Sequence, residues 1–327
     1  MTSEKKKVIM LTGSWYWEKV NLLEESGVAV KKVLDGKEDL FHAECRDAQA
    51  VVPGLTPITR PMMEKAPQLL IIAAHGVGYN NVNVAAADDL GILVTNIPGA
   101  NSDAVAEFAF GFMLNLIRFF PQVWEEMRKG GWRLPGLWGT ELRGKTLGII
   151  GLGRIGSRVG KLGKAFGMKV LAFDPYISAK SFREAAAEAG EKDKVISQAD
   201  FLTLHTPLTA ETRKMIGGRE LSLMKATAFL INTARGGVVD ESALLAALNE
   251  GRISGAAIDV FEQEPPADRA LVGHPRVITA PHLAGLTNEA RYRMGLGASE
   301  RILCAFRGET PPDVVNKPVN PRYLRKG

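Results

Sequence analysis

The sequence predicts an α/β protein with two parallel β-sheets, each covered by helices. Two observations predict this class: short apolar runs alternate with helical patterns through the first hundred residues, and the same alternation resumes at residue 146. Parallel strands need a crossover between them, so strands that alternate with helices indicate parallel sheets. At 327 residues the chain is also too long for one typical domain and suits two.

The first hundred residues contain the elements of the first sheet. Strands are predicted at residues 8–11, 28–33, 50–52, 69–73 and 92–95, and helices at residues 21–26, 61–65 and 83–90. Pro98 and Gly99 then interrupt the pattern and mark a candidate hinge between domains. Residues 102–120 form a predicted helix that is apolar nearly all round, which indicates burial on most sides. We interpret it as a helix shared between domains and subunits; an ordinary core helix is the alternative.

The second sheet begins at residue 146. Its strands are predicted at residues 146–150, 170–173, 201–204, 228–232, 255–259 and 277–279. Six strands match the Rossmann arrangement of two three-stranded halves. A second long helix is predicted at residues 286–306.

A glycine-rich turn joins the first strand of this second sheet to the helix that follows. The run is Gly151-Leu-Gly153-Arg-Ile-Gly156, which has the G-x-G-x-x-G spacing. Gly151 permits a tight turn, Gly153 lets the backbone approach a pyrophosphate, and Gly156 lets the helix pack closely on the strand. The free N–H groups at the helix N-terminus favour negative charge. The sequence therefore predicts a dinucleotide site here, with an ordinary turn of an α/β protein as the alternative.

The residue that ends the next strand indicates which dinucleotide binds. Asp174 can accept hydrogen bonds from both ribose hydroxyls of NAD, and its charge repels the 2′-phosphate of NADP. NADP sites usually have an arginine nearby, whereas Pro175 and Tyr176 follow Asp174 here. The sequence thus favours NAD as the cofactor. A solvated carboxylate in an Asp-Pro turn is the alternative interpretation.

The composition excludes several classes of protein. Hydrophobic residues make up 46% and charged residues 24% of the chain, as in an ordinary soluble globular protein. The net charge is +5, but the basic residues are scattered, so neither a nucleic acid nor a membrane is expected as a partner. Cys45 and Cys304 lie far apart without metal-ligand spacing, which predicts no metal site and a cytoplasmic location.

Three polar residues follow the last three strands of the second sheet. They are Arg235, Glu264 and His282. The carboxyl ends of parallel strands face one ligand crevice, so these side chains are expected at one rim. The planar fork of Arg235 suits a carboxylate or carbonyl, and His282 can exchange a proton near neutral pH. Glu264 can hydrogen-bond the second ring nitrogen of His282 and orient the ring.

Each of these three residues has an alternative role. The alternative for Arg235, which precedes two glycines, is that its side chain only forms hydrogen bonds with the backbone carbonyls of its own turn. Glu264, before two prolines, would be a surface acid. Among the five histidines of the chain, His205 is the nearest competitor of His282, but it follows a strand expected to lie under the cofactor.

The chain resembles the D-2-hydroxyacid dehydrogenases from about residue 50 to residue 316. The segments that carry the resemblance begin at His75 (HGVGYNNV), Asn101 (NSDAVAE), Gly151 (GLGRIG) and His205 (HTPLT). Three further segments follow strands and begin at Asn232 (NTARGG), Asp259 (DVFEQEPP) and Ala280 (APHLAG). The resemblance implies that Arg235, Glu264 and His282 are the catalytic trio. It also implies that the amides of Val77 and Gly78 hold the substrate carboxylate. The glycines of the turn and Asp174 are already predicted to bind the cofactor. The resemblance implies further cofactor-binding residues, namely Arg154, Ile155, Thr206, Pro207, Thr212, Thr233, Ala234, Asp259 and Gly285.

The resemblance further implies two Rossmann-like or flavodoxin-like domains with a cleft between them. Residues 1–99 and 287–327 would form a discontinuous substrate-binding domain, and residues 100–286 the NAD-binding domain. A homodimer through the NAD-binding domain is also implied. Leu55 and Trp138 are then candidates for shaping the substrate pocket, although simple packing is the alternative for Trp138.

The expected reaction is hydride transfer between NAD(H) and a small D-2-hydroxy acid or 2-oxo acid, such as glyoxylate or hydroxypyruvate. Relatives that oxidise phosphoglycerate often have an arginine near the position of Leu55, and residues 53–55 contain none, so that substrate is less favoured. Two other functions remain open. Formate dehydrogenases share the scaffold but have glutamine where Glu264 stands, and a dinucleotide-sensing corepressor would retain the trio without turnover.

Overall fold

The computed structural model describes residues 6–10, 21–33, 45–54, 56–132 and 136–324. The chain divides into two compact units. The first unit comprises residues 1–101 and 286–327, and the second unit comprises residues 102–285. The α/β class with two parallel sheets, predicted from the sequence, is confirmed.

The first unit is built on a five-stranded parallel sheet. In chain order its elements are β1 (Lys7–Met10), α1 (Leu22–Glu25), β2 (Ala29–Lys32), β3 (Ala50–Val52), α2 (Arg60–Glu64), β4 (Ile71–Ala73), α3 (Val84–Leu90) and β5 (Leu93–Thr95). The strand order is β2-β1-β3-β4-β5, with Val8 paired to Val30 on one side and to Ala50 on the other. Strands β3 to β5 are buried throughout, because helices cover both faces of a parallel sheet.

The second unit contains a seven-stranded parallel sheet. Its elements are α4 (Ser102–Arg118), α5 (Phe120–Arg128), β6 (Thr146–Ile150), α6 (Arg154–Ala165), β7 (Lys169–Phe173), α7 (Ala179–Glu184), β8 (Glu188–Ala189), α8 (Lys192–Gln198), β9 (Phe201–Leu204), α9 (Gly218–Leu223), β10 (Phe229–Asn232), α10 (Glu241–Asn249), β11 (Gly255–Ile258) and β12 (Val277–Thr279). The strand order is β12-β11-β10-β9-β6-β7-β8. The chain runs outward from β6 in one direction and then from β9 in the other, so the loops after β6 and β9 lie at the switch point where such sheets bind ligands.

Two details of the second unit differ from the sequence prediction. The sheet has seven strands rather than six, since β8 adds a two-residue edge strand with both residues exposed. An exposed strand this short has no apolar run that sequence patterns can detect. The helix predicted to reach residue 120 ends at Arg118, and Phe119 has a φ of +55°. Pro121 has no N–H to donate to the Ile117 carbonyl, and the Thr140 amide binds that carbonyl instead.

The C-terminal segment belongs to the first unit. Helix α11 (Asn288–Phe306) packs on β4, and the following chain runs beside β5. There the Asn316 side chain accepts a hydrogen bond from the Val94 amide and donates one to the Ile92 carbonyl. In the described part of the chain no single helix is long and apolar enough to cross a membrane, and α4 and α5 pass that test only as a pair bent by 61°.

Candidate active site

The loop after β6 has a backbone that only glycine adopts easily. Gly151 has a φ of +89°, and its amide donates to the Phe173 carbonyl. A Cβ at this position would lie 2.8 Å from the carbonyl carbon and oxygen of His205 and from Thr206 Cγ2. Side chains other than glycine are therefore excluded both by conformation and by space. This close contact joins the ends of β6 and β9.

The other two glycines differ from each other in their surroundings. A Cβ at Gly156 would lie 2.1 Å from the Gly151 carbonyl oxygen, so glycine is needed for α6 to approach the turn. Gly153 is the N-cap of α6, and an added Cβ there would have no heavy atom within 4 Å. Arg154 and Ile155 form the first turn of this twelve-residue helix. The space above Gly153, next to the helix N-terminus, fits a pyrophosphate.

Asp174 is positioned by the glycine loop itself. One of its carboxylate oxygens accepts the Leu152 amide at 2.9 Å, and the other accepts the Tyr176 amide at 3.0 Å. Each carboxylate oxygen has a second acceptor site, so ribose hydroxyls can bind without displacing these amides. The Asp-Pro turn considered from the sequence is therefore present, and it fixes the carboxylate next to the glycine run.

Several buried polar atoms lie at the carboxyl ends of β9 and β10 without a hydrogen-bond partner among the described residues. They are His205 Nδ1, Thr206 Oγ1 and Thr233 Oγ1. Buried polar atoms are normally satisfied, so such a group indicates a ligand that supplies the missing partners. The glycine loop, Asp174 and these hydroxyls together fit a dinucleotide. Burial lowers the pKa of His205 to about 3, which keeps its ring uncharged at neutral pH.

Pro207 and Thr212, which were predicted to contact the cofactor, form hydrogen bonds within the loop after β9. Thr212 Oγ1 donates to the Pro207 carbonyl at 2.6 Å and accepts the Thr209 amide at 2.7 Å. These bonds close the loop after β9. The side chain of Thr212 therefore shapes the edge of the site, and its contact with a cofactor stays a prediction.

His282 and Glu264 form a hydrogen-bonded pair. His282 Nδ1 lies 2.7 Å from Glu264 Oε2, and the side chains are 33% and 31% exposed. The other carboxylate oxygen of Glu264 accepts the Phe261 amide at 3.1 Å. Burial opposes ionisation of Glu264, but its bond to His282 and the His282 charge outweigh this and lower the pKa of Glu264. The ionised carboxylate thus orients the imidazole, with Nε2 as the ring nitrogen that Glu264 does not bind.

The backbone of His282 is held in a conformation that is unusual for its residue type. Its φ is +55°, in the left-handed region that costs a non-glycine residue roughly 1–2 kcal/mol. Three bonds to Asp259 hold it there: the His282 amide binds the Asp259 carbonyl at 2.8 Å, and the Leu283 and Ala284 amides bind the two carboxylate oxygens at 2.7 and 2.9 Å. Asp259 is only 1% exposed, and burial raises its pKa. In the structure Asp259 holds the loop that ends at Gly285 through these hydrogen bonds. A contact between Asp259 and nicotinamide stays a prediction.

Arg235 follows β10 in a turn that Asn232 holds together. The Asn232 side chain accepts the Ala234 amide at 3.1 Å and donates to the Arg235 carbonyl at 3.0 Å. Arg235 Nη1 donates to the Ala234 carbonyl at 2.6 Å, so part of the alternative role considered from the sequence is realised. Burial lowers the pKa of Arg235, and the charge of Glu264 acts in the opposite direction. A guanidinium has five N–H donors, a number that suits the binding of an anion.

Gly236 brings the Arg235 turn against the loop that carries Glu264. A Cβ at Gly236 would lie 1.9 Å from the Phe261 carbonyl carbon and 2.4 Å from the Glu262 nitrogen. Neither Gly236 nor Asn232 was among the predicted site residues. For Asn232 a signal existed, since asparagine at a strand end commonly bonds the backbone two residues on. For Gly236 there was none, because its neighbour is distant in sequence.

The first unit contains the loop predicted to bind a carboxylate. In the described part of the chain, neither the Val77 nor the Gly78 amide donates a hydrogen bond to another group. The loop is fixed by its neighbours, since Asn96 Nδ2 donates to the Val77 carbonyl and the Ile97 amide to the Gly76 carbonyl, both at 2.8 Å. Two amides of a rigid loop are suitable donors for an anion.

Leu55 and Trp138 are the two residues predicted to shape the substrate pocket, and the structure describes only Trp138. Leu55 lies outside the described residues. Trp138 belongs to the second unit and is 86% exposed. The packing role considered for Trp138 is thus not seen within its own unit.

Comparisons with known proteins identify the family. Residues 110–284 match the model of the D-isomer specific 2-hydroxyacid dehydrogenase NAD-binding domain. The chain belongs to the D-isomer specific 2-hydroxyacid dehydrogenase family. This membership makes it an NAD-dependent dehydrogenase of D-2-hydroxy acids, and it establishes NAD as its cofactor.

Relatives with two different names are similar to the chain. It is 42% identical over 316 residues to a D-3-phosphoglycerate dehydrogenase of Methanocaldococcus jannaschii, covering 96% of this chain and 60% of that protein. It is 43% identical over 286 residues to a glyoxylate reductase of Aeropyrum pernix, covering 85% of each chain. Among solved structures, the NAD-complexed D-isomer specific 2-hydroxyacid dehydrogenase of Lactobacillus delbrueckii ssp. bulgaricus has a TM-score of 0.79 at 28% identity, covering 95% of this chain and all of that one (100%).

Proposed function

We propose that the protein reduces a small 2-oxo acid, of the glyoxylate or hydroxypyruvate type, to the D-2-hydroxy acid. The observation that carries this proposal is the hydrogen-bonded Glu264–His282 pair, whose loops lie at the same sheet edge as the Arg235 turn. A proton donor and a carbonyl-binding cation are the groups that reduction of a 2-oxo acid requires from the protein. NADH, when bound, supplies the hydride.

The role of each residue follows from its chemistry. His282 donates a proton from Nε2 to the oxygen of the substrate carbonyl. Glu264 holds the ring through Nδ1 and fixes its orientation towards the substrate. Arg235 binds the carbonyl oxygen and carboxylate of the substrate with its fork of N–H groups.

The amides of Val77 and Gly78 would bind the substrate carboxylate from the first unit. Leu55 and Trp138 would limit the size of the substrate side chain. We further propose a homodimer that uses the second unit, which has the exposed aromatic residues Trp124, Trp132 and Trp138. A cytoplasmic location is proposed because both Cys45 and Cys304 are free thiols.

A screen of NADH oxidation with a panel of 2-oxo acids tests this proposal. We expect turnover with glyoxylate and hydroxypyruvate, followed by the absorbance of NADH. A dinucleotide-sensing corepressor would bind NADH and show negligible turnover with every member of the panel. That result would reject the proposal. Reduction of NAD+ by formate, together with no turnover of any 2-oxo acid, would favour a formate dehydrogenase.

Replacing Asp174 with asparagine should weaken the preference for NADH over NADPH. Asparagine can still accept the Leu152 amide, so the glycine loop is retained, while the charge that repels a 2′-phosphate is removed. We expect the wild-type protein to use NADH far better than NADPH. The ratio of the two kcat/KM values should fall roughly tenfold or more in the variant, as for loss of a bond to a charged group. Equal use of both cofactors by the wild-type protein would contradict the role of Asp174.

Replacing Gly236 with alanine should lower kcat by up to roughly 10²-fold, because the Arg235 turn and the Glu264 loop are forced apart. The added Cβ has no space against Phe261. Gly218→Ala is the matched control, since nothing lies within 4 Å of a Cβ at that position. Steady-state rates and thermal melting of both variants distinguish a displaced site from general unfolding. If Gly236→Ala were as active as the control, the packing of these two loops would be irrelevant to catalysis.

A further inference from the structure

The two amides proposed to bind the substrate carboxylate belong to consecutive peptide groups. The Val77 N–H shares its peptide group with the Gly76 carbonyl, and the Gly78 N–H shares its peptide group with the Val77 carbonyl. In a planar trans peptide the carbonyl and the N–H point in opposite directions. The groups that bind these two carbonyls therefore set the directions of the two N–H donors.

Both carbonyls are bound by residues that directly follow β5. Strand β5 pairs with β4, so the chain after β5 runs beside the loop after β4. The Ile97 amide donates to the Gly76 carbonyl, and Asn96 Nδ2 donates to the Val77 carbonyl, both at 2.8 Å. The first bond comes from the backbone, which any residue except proline can supply. The second bond depends on the side chain of Asn96, so the direction of the Gly78 N–H depends on the type of residue at position 96.

Gly78 gives its peptide group a freedom that the Asn96 bond removes. A peptide group can reverse by rotation about the bonds on either side of it, and glycine tolerates the backbone angles that a reversal requires. Asn96 is only 7% exposed, so a reversal would take this partner away from a buried NH2 donor, which is costly. A carbonyl that accepts a hydrogen bond also polarises its own peptide group, which strengthens the N–H as a donor.

Asn96 is itself held by the C-terminal segment. Its amide donates to the Asp313 carbonyl at 3.3 Å, and the Asp313 carboxylate pairs with Arg301 of α11, whose side chain is 9% exposed. Arg301 Nη1 also donates to the Gly297 carbonyl at 2.9 Å. A Cβ at Gly297 would lie 3.0 Å from Ile97 Cγ2 and 3.1 Å from Arg301 Nη1, so the guanidinium and Ile97 pack against the same turn of α11. The place of Asn96 is thus fixed independently of the loop that it binds.

We propose that Asn96 is a positioning residue for substrate binding, which directs the Gly78 N–H towards the substrate carboxylate without touching the substrate. This inference rests on the proposed function, because it takes the Val77 and Gly78 amides as the carboxylate site. The carboxylate keeps its charge during hydride transfer, so these amides bind it equally in the ground state and in the transition state. Loss of such binding raises KM and leaves kcat nearly unchanged.

Asn96→Leu tests this role, because leucine has nearly the same shape and no donor. The substrate is the 2-oxo acid that the wild-type protein turns over best. Its KM should rise roughly 10-fold or more, as for a weakened hydrogen bond to a charged group, while kcat and the Kd for NADH change little. Asn96→Ser is a second variant that is smaller and polar. Its hydroxyl is too short to reach the Val77 carbonyl, so its KM should rise in the same way even if the leucine variant does not fold.

Asn316→Leu is the matched control. Asn316 is 5% exposed, and its Nδ2 donates to the Ile92 carbonyl at 2.9 Å while its Oδ1 accepts the Val94 amide at 2.8 Å. The control thus also removes a buried bond from asparagine to a backbone carbonyl of the first unit. It should lower the melting temperature without raising KM.

Three results would overturn the positioning role alone, provided that the wild-type protein turns over a 2-oxo acid. They are an unchanged KM in a folded Asn96 variant, a fall in kcat that exceeds the rise in KM, and an equal rise in KM for Asn316→Leu. No turnover of any 2-oxo acid by the wild-type protein would overturn the proposed function and this inference together.

Discussion

Replacing His282 with alanine should reduce kcat by a factor on the order of 10² or more, because the proton donor for the substrate oxygen is lost. Binding of NADH should change little, since the glycine loop and Asp174 lie at β6 and β7. Stopped-flow or steady-state NADH oxidation measures the first effect, and quenching of protein fluorescence by NADH measures the second.

The control for this variant is His274→Ala. His274 lies in the turn before β12, where its Nδ1 accepts the Arg276 amide, and it has no part in the proposed chemistry. Its loss should leave turnover unchanged. Glu264→Gln should have a smaller effect than His282→Ala, because the glutamine side chain keeps a hydrogen-bond acceptor for Nδ1 of the ring, and the ring itself is retained. Full activity of His282→Ala would remove this residue from the mechanism.

Replacing Arg235 with methionine should lower kcat/KM by roughly 10²-fold or more, with effects on both constants. In its proposed role the guanidinium binds the substrate in the ground state and polarises the substrate carbonyl in the transition state, so KM should rise while kcat falls. Arg235→Lys should recover only part of the loss, since an ammonium group keeps the charge without the bidentate geometry.

Arg252→Met is the comparison for the loss of a positive charge. Arg252 is exposed and paired with Glu250 at the end of α10, and its replacement should not change the kinetics. A change in KM alone for Arg235→Met would mean that the guanidinium anchors the carboxylate and does not polarise the carbonyl.

The sequence was sufficient for the fold class because the strands are short, apolar and separated by helices. Buried parallel strands such as those at Ala50–Val52 and Phe201–Leu204 appear as continuous apolar runs, and the structure has them at the predicted positions. The edge strand at Glu188–Ala189 was missed because it is exposed on both residues. The helix break at Phe119 was missed because the apolar pattern continues through it.

For the candidate site, the sequence predicted which loops carry the polar residues but not how they are held. Strand-end positions follow from the parallel topology, which is why Arg235, Glu264 and His282 were selected before any geometry was known. The three bonds from Asp259 to the His282 loop join residues more than twenty positions apart. The contact between Gly236 and Phe261 is equally distant in sequence. Such contacts depend on tertiary packing, so local sequence patterns do not predict them.

The bonds from Asp259 also affect how this enzyme can change during evolution. They fasten the loop of the proposed acid to β11, while Asn232 fastens the arginine turn to β10, so both reactive groups are fixed to one sheet. The groups proposed to recognise the substrate carboxylate, Val77 and Gly78, belong to the other unit. Under the proposed roles, mutations there would change the preferred 2-oxo acid without moving the proposed proton donor.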